Sequence, residues 1–577
     1  MQIRRVTVAN FRGIREATWL LPDRRFVCLV GAGDSTKTTL LDAIQLVLGG
    51  QRNATFSDID FYNCDVSRKI VLQVLLGDLH EALMADNAFG LDLCGLTPEG
   101  QLVHDPHDGA EACVLLQLTV DENLEPEWTV VRPGTDEGQP LSAGRRRALG
   151  LFRVDDRVDS HLRWGRGSAL LRLTEPPAAA RAVTLARREA RQAVAKAPDS
   201  ALHMTAKQVA EAARAIGSAP YKTLQPGWDP TADTATGALV LQDGAIPLTA
   251  AGLGTRRLTS IAAQQTAAIR GDIVLIDEIE HGLEPHRLQH VLYRVRQSTA
   301  AGQGQVIVTT HSPVAVQTLQ AADISVVRSV GGETTAQQVP DDLDEVQGAV
   351  RACPAAVLSR RAVVCEGKTE AGVARHLIRY WDGDRIVAGQ PTHAALGASL
   401  VDGVGRTAPT RAGVFQDLGI PALLFCDNDD PAVDADVAAV SARGVSVVRW
   451  QPGNSTEAEI ALTLDTEQLR DLLLLAAELN AADQVRDAVV QRLSKVAPPG
   501  DLDPGAWIKA GHSLDEIRAA VADAAKKKEW FKREDKGEAL GNFITDRWDH
   551  FAVIDVGKRL AELRAFLYAD EERDDQD

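Results

Sequence analysis

The sequence lacks a long hydrophobic run, paired cysteines and internal repeats. No apolar stretch approaches the length of a membrane span, and the amino terminus enters a strand-like segment without the features of a signal peptide. We therefore expect a cytoplasmic protein with no membrane contact. The seven cysteines stand singly, without the spacing of a zinc site, so we expect them to be reduced and buried.

Basic residues are also in deficit. The formal net charge of −18 opposes long-range attraction to nucleic acid. Three basic segments are local exceptions: Arg145–Arg147, Arg360–Arg361 and Lys526–Arg533, the last with Trp530 and Phe531. Each segment could contact nucleic acid or form a solvated face, and both interpretations stay open. For Lys526, Lys527 and Lys528 we favour solvated surface charge.

What the chain has is enough apolar material for globular folding, at 577 residues and 45% hydrophobic content. The first motif is FVCLVGAGDSTKTTLLDAI, which predicts a buried strand, a glycine-containing loop and a helix. Backbone amides in such a loop bind phosphate, while Lys37 would reach the β- and γ-phosphates and Thr38 would contact Mg²⁺. Thr36 occupies the usual glycine position, and Asp34 adds a negative charge. The candidate nucleotide-binding residues are Gly31, Gly33, Ser35, Thr36, Lys37, Thr38 and Thr39.

Three later motifs complete an ATPase pattern. DIVLIDEIE predicts a strand that ends in Asp277, which would hold Mg²⁺, and Glu278, which would polarise the attacking water. VIVTTHSP ends another strand near His311, a candidate for contact with the γ-phosphate. LTAAGLGTRRL supplies Gly252 and Gly254 ahead of a helix. This order of motifs, with the opening VTVANFRGI, resembles the ABC-type ATPases of the SMC-like group.

Lys37 and Asp277 are far apart in the sequence, which predicts inserted material between them. Residues 69–76, 111–120 and 127–133 have the composition of strands. Residues 175–217 predict a helical insertion. This insertion is either a projecting hairpin that contacts a second subunit or a lid packed on its own domain.

A separate set of carboxylates lies in the second half of the chain. LLFCDND predicts a strand that ends in Asp427 and Asp429, and AVVCEGKTE predicts a strand and turn carrying Glu366 and Glu370. Carboxylates at the ends of parallel strands would meet at one edge of the sheet, where open α/β sheets bind ligands. They would repel one another unless they shared hard cations such as Mg²⁺ or Mn²⁺. Alternatively, Asp427 and Asp429 cap a helix.

The glutamate turn followed by the Asp-x-Asp strand resembles the Toprim metal core. Together, the SMC-like ATPase motifs and this core resemble the OLD (overcoming lysogenization defect) family of ATP-dependent endonucleases, and the resemblance covers nearly the whole chain. It implies an α/β fold with an ABC-type ATPase domain (1–345) carrying the helical insertion, a Toprim, Rossmann-like domain (358–465) and a helical segment (466–577) with an acidic tail (569–577).

The resemblance also implies the chemistry. The protein would be an ATP-regulated, metal-dependent DNA endonuclease of antiviral defence, forming a homodimer or larger homo-oligomer and working with a helicase-like partner. Two Mg²⁺ or Mn²⁺ ions and Mg²⁺-ATP would be the cofactors. The implied metal ligands are Glu366, Glu370, Asp427, Asp429, Glu457 and Glu459, with Glu366 also a candidate proton acceptor and Lys536 stabilising charge on the phosphate.

Two other functions remain open. The chain could be an ATP-gated DNA clamp or sensor whose Toprim domain is inactive, or a nucleotide-sensing component of a defence complex in which Thr36 limits turnover. Strand passage of the topoisomerase type is excluded, because none of the five tyrosines lies in a separate DNA-gripping domain.

Overall fold

The computed structural model describes residues 1–50, 54–86, 88–107, 109–135, 138–154, 158–165, 168–174, 201–217, 222–228, 239–267, 272–300, 304–340, 344–493 and 502–569. The chain divides into two compact units, Met1–Asp341 and Asp342–Asp577. Both units mix strands and helices, which confirms the predicted α/β class. Among the described residues, no helix is both long and apolar enough to cross a membrane.

The first unit is built on a large twisted sheet. Its strands are β1 Gln2–Phe11, β2 Ile14–Leu20, β3 Phe26–Val30, β4 Ile70–Gly77, β5 Cys94–Leu96, β6 Leu102–Val103, β7 Glu111–Val120, β8 Pro126–Val131, β9 Gln139–Pro140, β10 Leu151–Val154, β14 Ile273–Ile276, β15 Gln305–Thr309, β16 Ile324–Val330 and β17 Glu333–Gln338. A separate small sheet contains β11 Leu224–Trp228, β12 Leu239–Asp243 and β13 Ile246–Pro247.

The large sheet has a parallel half and a mainly antiparallel half. Strands β10, β14, β15, β3 and β16 lie side by side and parallel. Every residue of β3, β14 and β15 is buried, as expected for parallel strands covered on both faces. The other half contains the antiparallel pairs of β1 with β2 and β4, and of β7 with β4 and β8. Strands β4, β7 and β8 coincide closely with the three segments predicted as strands.

Helices flank these sheets. In the first unit they are Lys37–Leu48, Glu81–Met84, Ala143–Ala148, Ala169–Leu173, Ala201–Ile216, Leu253–Ala267, Pro285–Ala300 and Pro313–Thr318. The helix Ala201–Ile216 belongs to the predicted insertion 175–217, of which residues 175–200 lie outside the described residues. This helix buries its apolar face against Leu253–Ala267 of its own unit. For the described part of the insertion, the structure therefore favours the packed alternative.

The second unit contains a four-stranded parallel sheet. Its strands are β18 Arg361–Cys365, β19 Ala398–Asp402, β20 Ala422–Cys426 and β21 Ser446–Arg449, in the spatial order β19-β18-β20-β21. The chain moves outward from β18 in one direction to β19 and in the other to β20 and β21. The switch point of the topology therefore lies between β18 and β20, where such sheets bind ligands at their carboxyl ends.

Helices cover this sheet and extend beyond it. They are Asp344–Ala352, Pro354–Val357, Lys368–Val387, Ala408–Asp417, Asp434–Ala442, Thr456–Ala461, Thr466–Leu479, Ala482–Val490, Pro504–Lys509, Leu514–Lys527, Glu534–Thr545, Trp548–Phe551 and Asp555–Leu567. The helical character predicted after residue 466 is thus present in the described residues. Residues 570–577 of the predicted acidic tail lie outside them.

Candidate functional site

The loop between β3 and the helix Lys37–Leu48 forms the first candidate site. Lys37 is buried, and its Nζ donates to the carbonyl oxygens of Gly31 at 3.1 Å and Ala32 at 2.8 Å and to Ser35 Oγ at 2.9 Å. Burial lowers the pKa of Lys37 to about 8. The lysine therefore folds over the loop, at the place where the sequence predicts contact with phosphate.

Thr36 adopts the left-handed conformation that glycine adopts easily, with φ of 62°. This backbone is strained for a β-branched residue, and local contacts hold it in place. Thr36 Oγ1 lies 3.0 Å from Thr334 Oγ1, whose own neighbour is Ser329 Oγ at 3.1 Å. The departure from glycine thus comes with compensating hydrogen bonds that only the folded chain reveals.

Asp277 lies directly beside the loop between β3 and the helix Lys37–Leu48, which is called the phosphate loop below. Thr38 Oγ1 donates to Asp277 Oδ1 at 3.1 Å, and Thr309 Oγ1 donates to the same oxygen at 2.7 Å. The neighbouring Glu278 has an exposed side chain and a positive φ of 45°, and its amide donates to Thr309 Oγ1 at 2.7 Å. The structure therefore brings Thr38 and Asp277, the predicted Mg²⁺ contacts, into one place.

His311 belongs to the same site. Its pKa is lowered by burial and by the nearby charge of Lys37, and its amide donates to Glu280 Oε1 at 2.6 Å. Glu280 also accepts from Thr310 Oγ1 at 2.6 Å. Glu280, which follows Glu278 by two residues, was missed by sequence reasoning, although its place in DIVLIDEIE was a usable signal.

Gly252 and Gly254, the two glycines of LTAAGLGTRRL, differ in how closely other atoms approach them. A Cβ atom on Gly254 would lie 2.5 Å from the carbonyl oxygen of Gly282, so the start of its helix packs tightly on the segment after Asp277. A Cβ on Gly252, or on Gly33 of the phosphate loop, would meet open space. The geometry requires glycine at 254, and the nucleotide contacts expected of Gly252 and Gly254 stay predictions.

The carboxylates of the second unit meet at the switch point of the four-stranded sheet. Glu366 follows β18 and Asp427 follows β20, and the amide of Asp427 donates to Glu366 Oε2 at 2.9 Å. Glu370, one helical turn further along the chain, is buried in the helix Lys368–Val387. Thr456 Oγ1 lies 2.8 Å from Glu370 Oε1 and 2.9 Å from Asp427 Oδ1. Glu366, Glu370 and Asp427 are therefore joined by direct or shared hydrogen bonds.

Electrostatics link further residues to this group. Burial raises the pKa of Glu370 to about 7, with the charge of Glu457 as the second cause. Burial also raises the pKa of Asp427 well above its ordinary value, with added repulsion from Glu370, Glu457, Glu366 and Asp429. Excess negative charge on hard oxygen donors is the chemistry that Mg²⁺ or Mn²⁺ would satisfy. Within the described ranges, however, no three His, Cys, Asp or Glu side chains are already arranged to hold a metal ion.

Two predicted residues make other contacts. Glu459 accepts from the Gln451 amide at 3.2 Å and from Asn454 Nδ2 at 2.7 Å, so it stabilises its own turn. Lys536 donates to Asn480 Oδ1 at 2.8 Å. Their roles toward metal and phosphate stay predictions.

The lysine that contacts a carboxylate of the group is Lys526, whose Nζ lies 2.7 Å from Asp429 Oδ2. Lys526 is exposed, as expected of a surface charge, and the last turn of the helix Leu514–Lys527 also brings it to Asp429. Lys527 pairs with Asp523 on its own helix, as a surface residue would. The run of three lysines gave no signal that could separate them.

Several side chains of the basic segments pack or form ion pairs inside the protein. Trp530 and Phe531 are 2% and 0% exposed, so these two side chains of the segment Lys526–Arg533 are core residues and are not available to contact nucleic acid. Arg145 pairs with Asp92 and lies over the Phe89 ring, while Arg146 is buried over Trp128. These arginines stabilise the first unit instead of forming an open basic patch.

Comparison with known proteins supports the assignment of the first unit. A profile of the family described as "AAA domain, putative AbiEii toxin, Type IV TA system" matches residues 167–317. This range includes Asp277, Glu278 and His311. The match agrees with the ATPase motifs predicted for this part of the chain, and with ATP binding. No curated protein matches the chain.

Solved structures similar to this chain include three SMC head domains. One is the head bound to the C-terminal winged-helix domain of ScpA, with 15% identity and a TM-score of 0.39, covering 58% of this chain and 97% of that one. The head from Thermotoga maritima has 12% identity and a TM-score of 0.31 over 59% and 100%. The head with an extended coiled coil bound to ScpA, from Pyrococcus furiosus, has 13% identity and a TM-score of 0.38 over 58% and 95%.

Proposed function

We propose that the chain is an ATP-binding, divalent-metal-dependent DNA endonuclease in which the first unit binds nucleotide and the second hydrolyses phosphodiester bonds. The observation that carries the nuclease proposal is the meeting of Glu366, Glu370 and Asp427 at the switch point of a parallel sheet. Buried carboxylates in such contact are costly unless cations or protons neutralise them. A role in antiviral defence, a homodimeric state and a helicase-like partner belong to the same proposal.

In this mechanism Glu366, Glu370, Asp427, Asp429 and Glu457 would hold the cations. Bound cations would supply the charge that activates a water molecule and stabilises the departing 3′ oxygen. Thr456 orients Glu370 and Asp427, and Glu366 accepts a proton while it is held by the Asp427 amide. Lys526 supplies a positive charge next to Asp429. Lys536, one residue before a tight helix contact at Gly537, is the second candidate for contact with the phosphate.

The decisive experiment is cleavage of plasmid DNA by the full chain with Mg²⁺ or Mn²⁺, with and without ATP. We expect nicks or breaks from the wild type, and a loss of at least about a hundredfold in Asp427→Asn because a central cation ligand is removed. Asp430→Asn is the matched control, since Asp430 lies in the same loop but pairs with the exposed Arg406. DNA left intact by the wild type under every metal and nucleotide condition would refute the nuclease.

One observation favours a second function, an ATP-gated DNA clamp or sensor with an inactive metal unit. The carboxylates of the described residues do not form a ready-made metal site, and Lys526 already compensates Asp429. DNA binding that depends on ATP, without cleavage and with equal affinity in Asp427→Asn, would select this function.

A further inference from the structure

A buried arginine at the end of β10 joins two carboxylates of the nucleotide site. Arg153 donates to Asp277 Oδ2 at 3.0 Å, and a second nitrogen contacts Asp42 and donates to Gln45 Oε1 at 3.0 Å. The side chain of Arg153 is 6% exposed. A guanidinium with donors on two sides can hold two carboxylates at once, which the single ammonium of a lysine does less well.

Local structure explains how these groups meet. Asp42 follows Thr38 by one helical turn, so both side chains lie on the same face of the helix Lys37–Leu48. Strand β10 pairs in parallel with β14, and the amide of Asp277 donates to the Val154 carbonyl at 2.9 Å. The end of β10 therefore delivers Arg153 between the phosphate-loop helix and Asp277.

Arg153 has an electrostatic task in this position. Asp277, Glu278, Glu280 and Asp34 all act on Lys37, so acidic groups surround the phosphate loop. The ammonium group of Lys37 donates its hydrogen bonds to the loop itself. Asp42 also pairs with Arg12, whereas the ion pair of Asp277 is the one with Arg153. Without Arg153, Asp277 would therefore present uncompensated charge to an incoming triphosphate.

We propose that Arg153 is a positioning residue that neutralises Asp277 and Asp42 before Mg²⁺ is bound, so that nucleotide can enter an otherwise acidic site. Thr38 and Asp277 have the oxygen donors that Mg²⁺ prefers, and the ion would take over the neutralisation of Asp277. The inference rests on nucleotide binding at the loop from Gly31 to Thr38. It assigns a role to Arg153, which lies in none of the four sequence motifs of the ATPase pattern.

The test compares the affinity of the full chain for a fluorescent, non-hydrolysable ATP analogue in excess chelator and in saturating Mg²⁺. We expect Arg153→Gln to weaken binding at least about tenfold without Mg²⁺ and less than about threefold with it, because the ion restores the missing charge. Equal losses in both conditions would indicate a merely structural role and overturn the proposal. Unchanged binding in both conditions would overturn it as well.

Two further variants separate an effect of charge from a general effect on folding. Arg146→Gln removes another buried arginine of the same unit, one that lies over Trp128 and donates to the Gly49 carbonyl, and it should not change the ratio of the two affinities. Asp42→Asn added to Arg153→Gln removes one of the two carboxylates that Arg153 contacts and should restore part of the Mg²⁺-free affinity. If it restores none, the charge argument fails. Failure of the wild type to bind the analogue in either condition would instead refute the nucleotide site itself.

Discussion

At the scale of single residues, Thr456 shows how the candidate metal site is held together. Its hydroxyl accepts from Trp450 Nε1 at 2.7 Å and lies within 2.9 Å of both Glu370 and Asp427. A hydroxyl has one hydrogen, so it can donate to only one of these carboxylates at a time. The amide of Thr456 also donates to Asp427 Oδ1 at 2.7 Å, so Asp427 keeps a hydrogen bond when the hydroxyl donates to Glu370. Thr456 therefore holds the two carboxylates close together through both its hydroxyl and its amide.

We expect Thr456→Val to weaken Mn²⁺ binding about tenfold or more, because a hydrogen bond to a charged group is worth about 1.5–3 kcal/mol. Thr456→Ser keeps the hydroxyl and should bind Mn²⁺ nearly as the wild type does. Thr463→Val is the control, since that hydroxyl donates only to the Ile460 carbonyl at the end of the same helix. Electron paramagnetic resonance of free Mn²⁺ measures the affinity. Equal affinities in Thr456→Val and the wild type would contradict this role.

Lys37 predicts a pH dependence of nucleotide binding. Burial lowers its pKa to about 8, so the free protein is about half deprotonated there at pH 8. Phosphate groups favour the ammonium, and binding should therefore take up a proton. We expect uptake to rise from about 0.1 proton at pH 7 to about 0.9 at pH 9, with affinity falling as pH increases. Calorimetry in buffers of different ionisation enthalpy measures the uptake.

Lys37→Arg provides the control for this linkage, because arginine stays protonated throughout the range. Uptake should vanish in this variant even if affinity changes.

The lowered pKa of Lys37 also makes protein stability depend on pH, and stability changes with pH in the opposite direction to nucleotide affinity. The folded state binds fewer protons than the unfolded state between pH about 8 and 10.5, so this residue's contribution to stability increases as pH rises through that window. Proton release on nucleotide binding would contradict the assignment of Lys37.

At the scale of elements, a close helix pair positions Glu370. The helices Lys368–Val387 and Glu534–Thr545 approach each other at glycines on both sides. A Cβ on Gly372 would lie 2.3 Å from the Glu534 carbonyl oxygen, and one on Gly537 would lie 2.7 Å from the Thr369 carbonyl oxygen. Backbone atoms cannot move aside as a flexible side chain can, so these glycines set the distance between the helices.

Gly372→Ala should force the two helices apart and lower the free energy of unfolding by about 1–3 kcal/mol. Because Glu370 lies on the displaced helix, Mn²⁺ affinity should fall too. Gly383→Ala is the matched control on the same helix, where a Cβ meets nothing within 4 Å, and it should be neutral or stabilise by up to about 1 kcal/mol. Denaturant unfolding and Mn²⁺ titration check both effects. Similar stabilities for the two variants would contradict the packing argument.

The elements also show what the sequence could predict. Buried strands such as β3, β18 and β20 could be located because their apolar runs end abruptly in polar residues, and parallel pairing then brings Glu366 and Asp427 together. Contacts made by distant helices could not be predicted, because local patterns carry no information about which surfaces pack. Lys526 reaches Asp429 from such a helix. Arg153 reaches Asp277 from a short strand with no motif of its own.

At the scale of the whole molecule, the described residues form separate hydrophobic cores. One large cluster of buried side chains runs from Met1 to Val327, and another runs from Val363 to Leu567. Apolar burial is the main stabilising term in folding, so each unit carries its own major source of stability. A ligand that binds one unit stabilises that unit by an amount that increases with the ratio of the ligand concentration to its Kd.

We therefore expect thermal unfolding to occur in two transitions that respond to different ligands. A non-hydrolysable ATP analogue with Mg²⁺, at a hundredfold excess over its Kd, should stabilise the first unit by about 2.7 kcal/mol, and Mn²⁺ without nucleotide should stabilise the second. Lys37→Met should abolish the first shift and leave the second. Asp427→Asn should do the reverse. Calorimetry would contradict separate sites if it showed one transition that both ligands shift equally and that both substitutions affect alike, because each ligand would then be acting on a single cooperative unit.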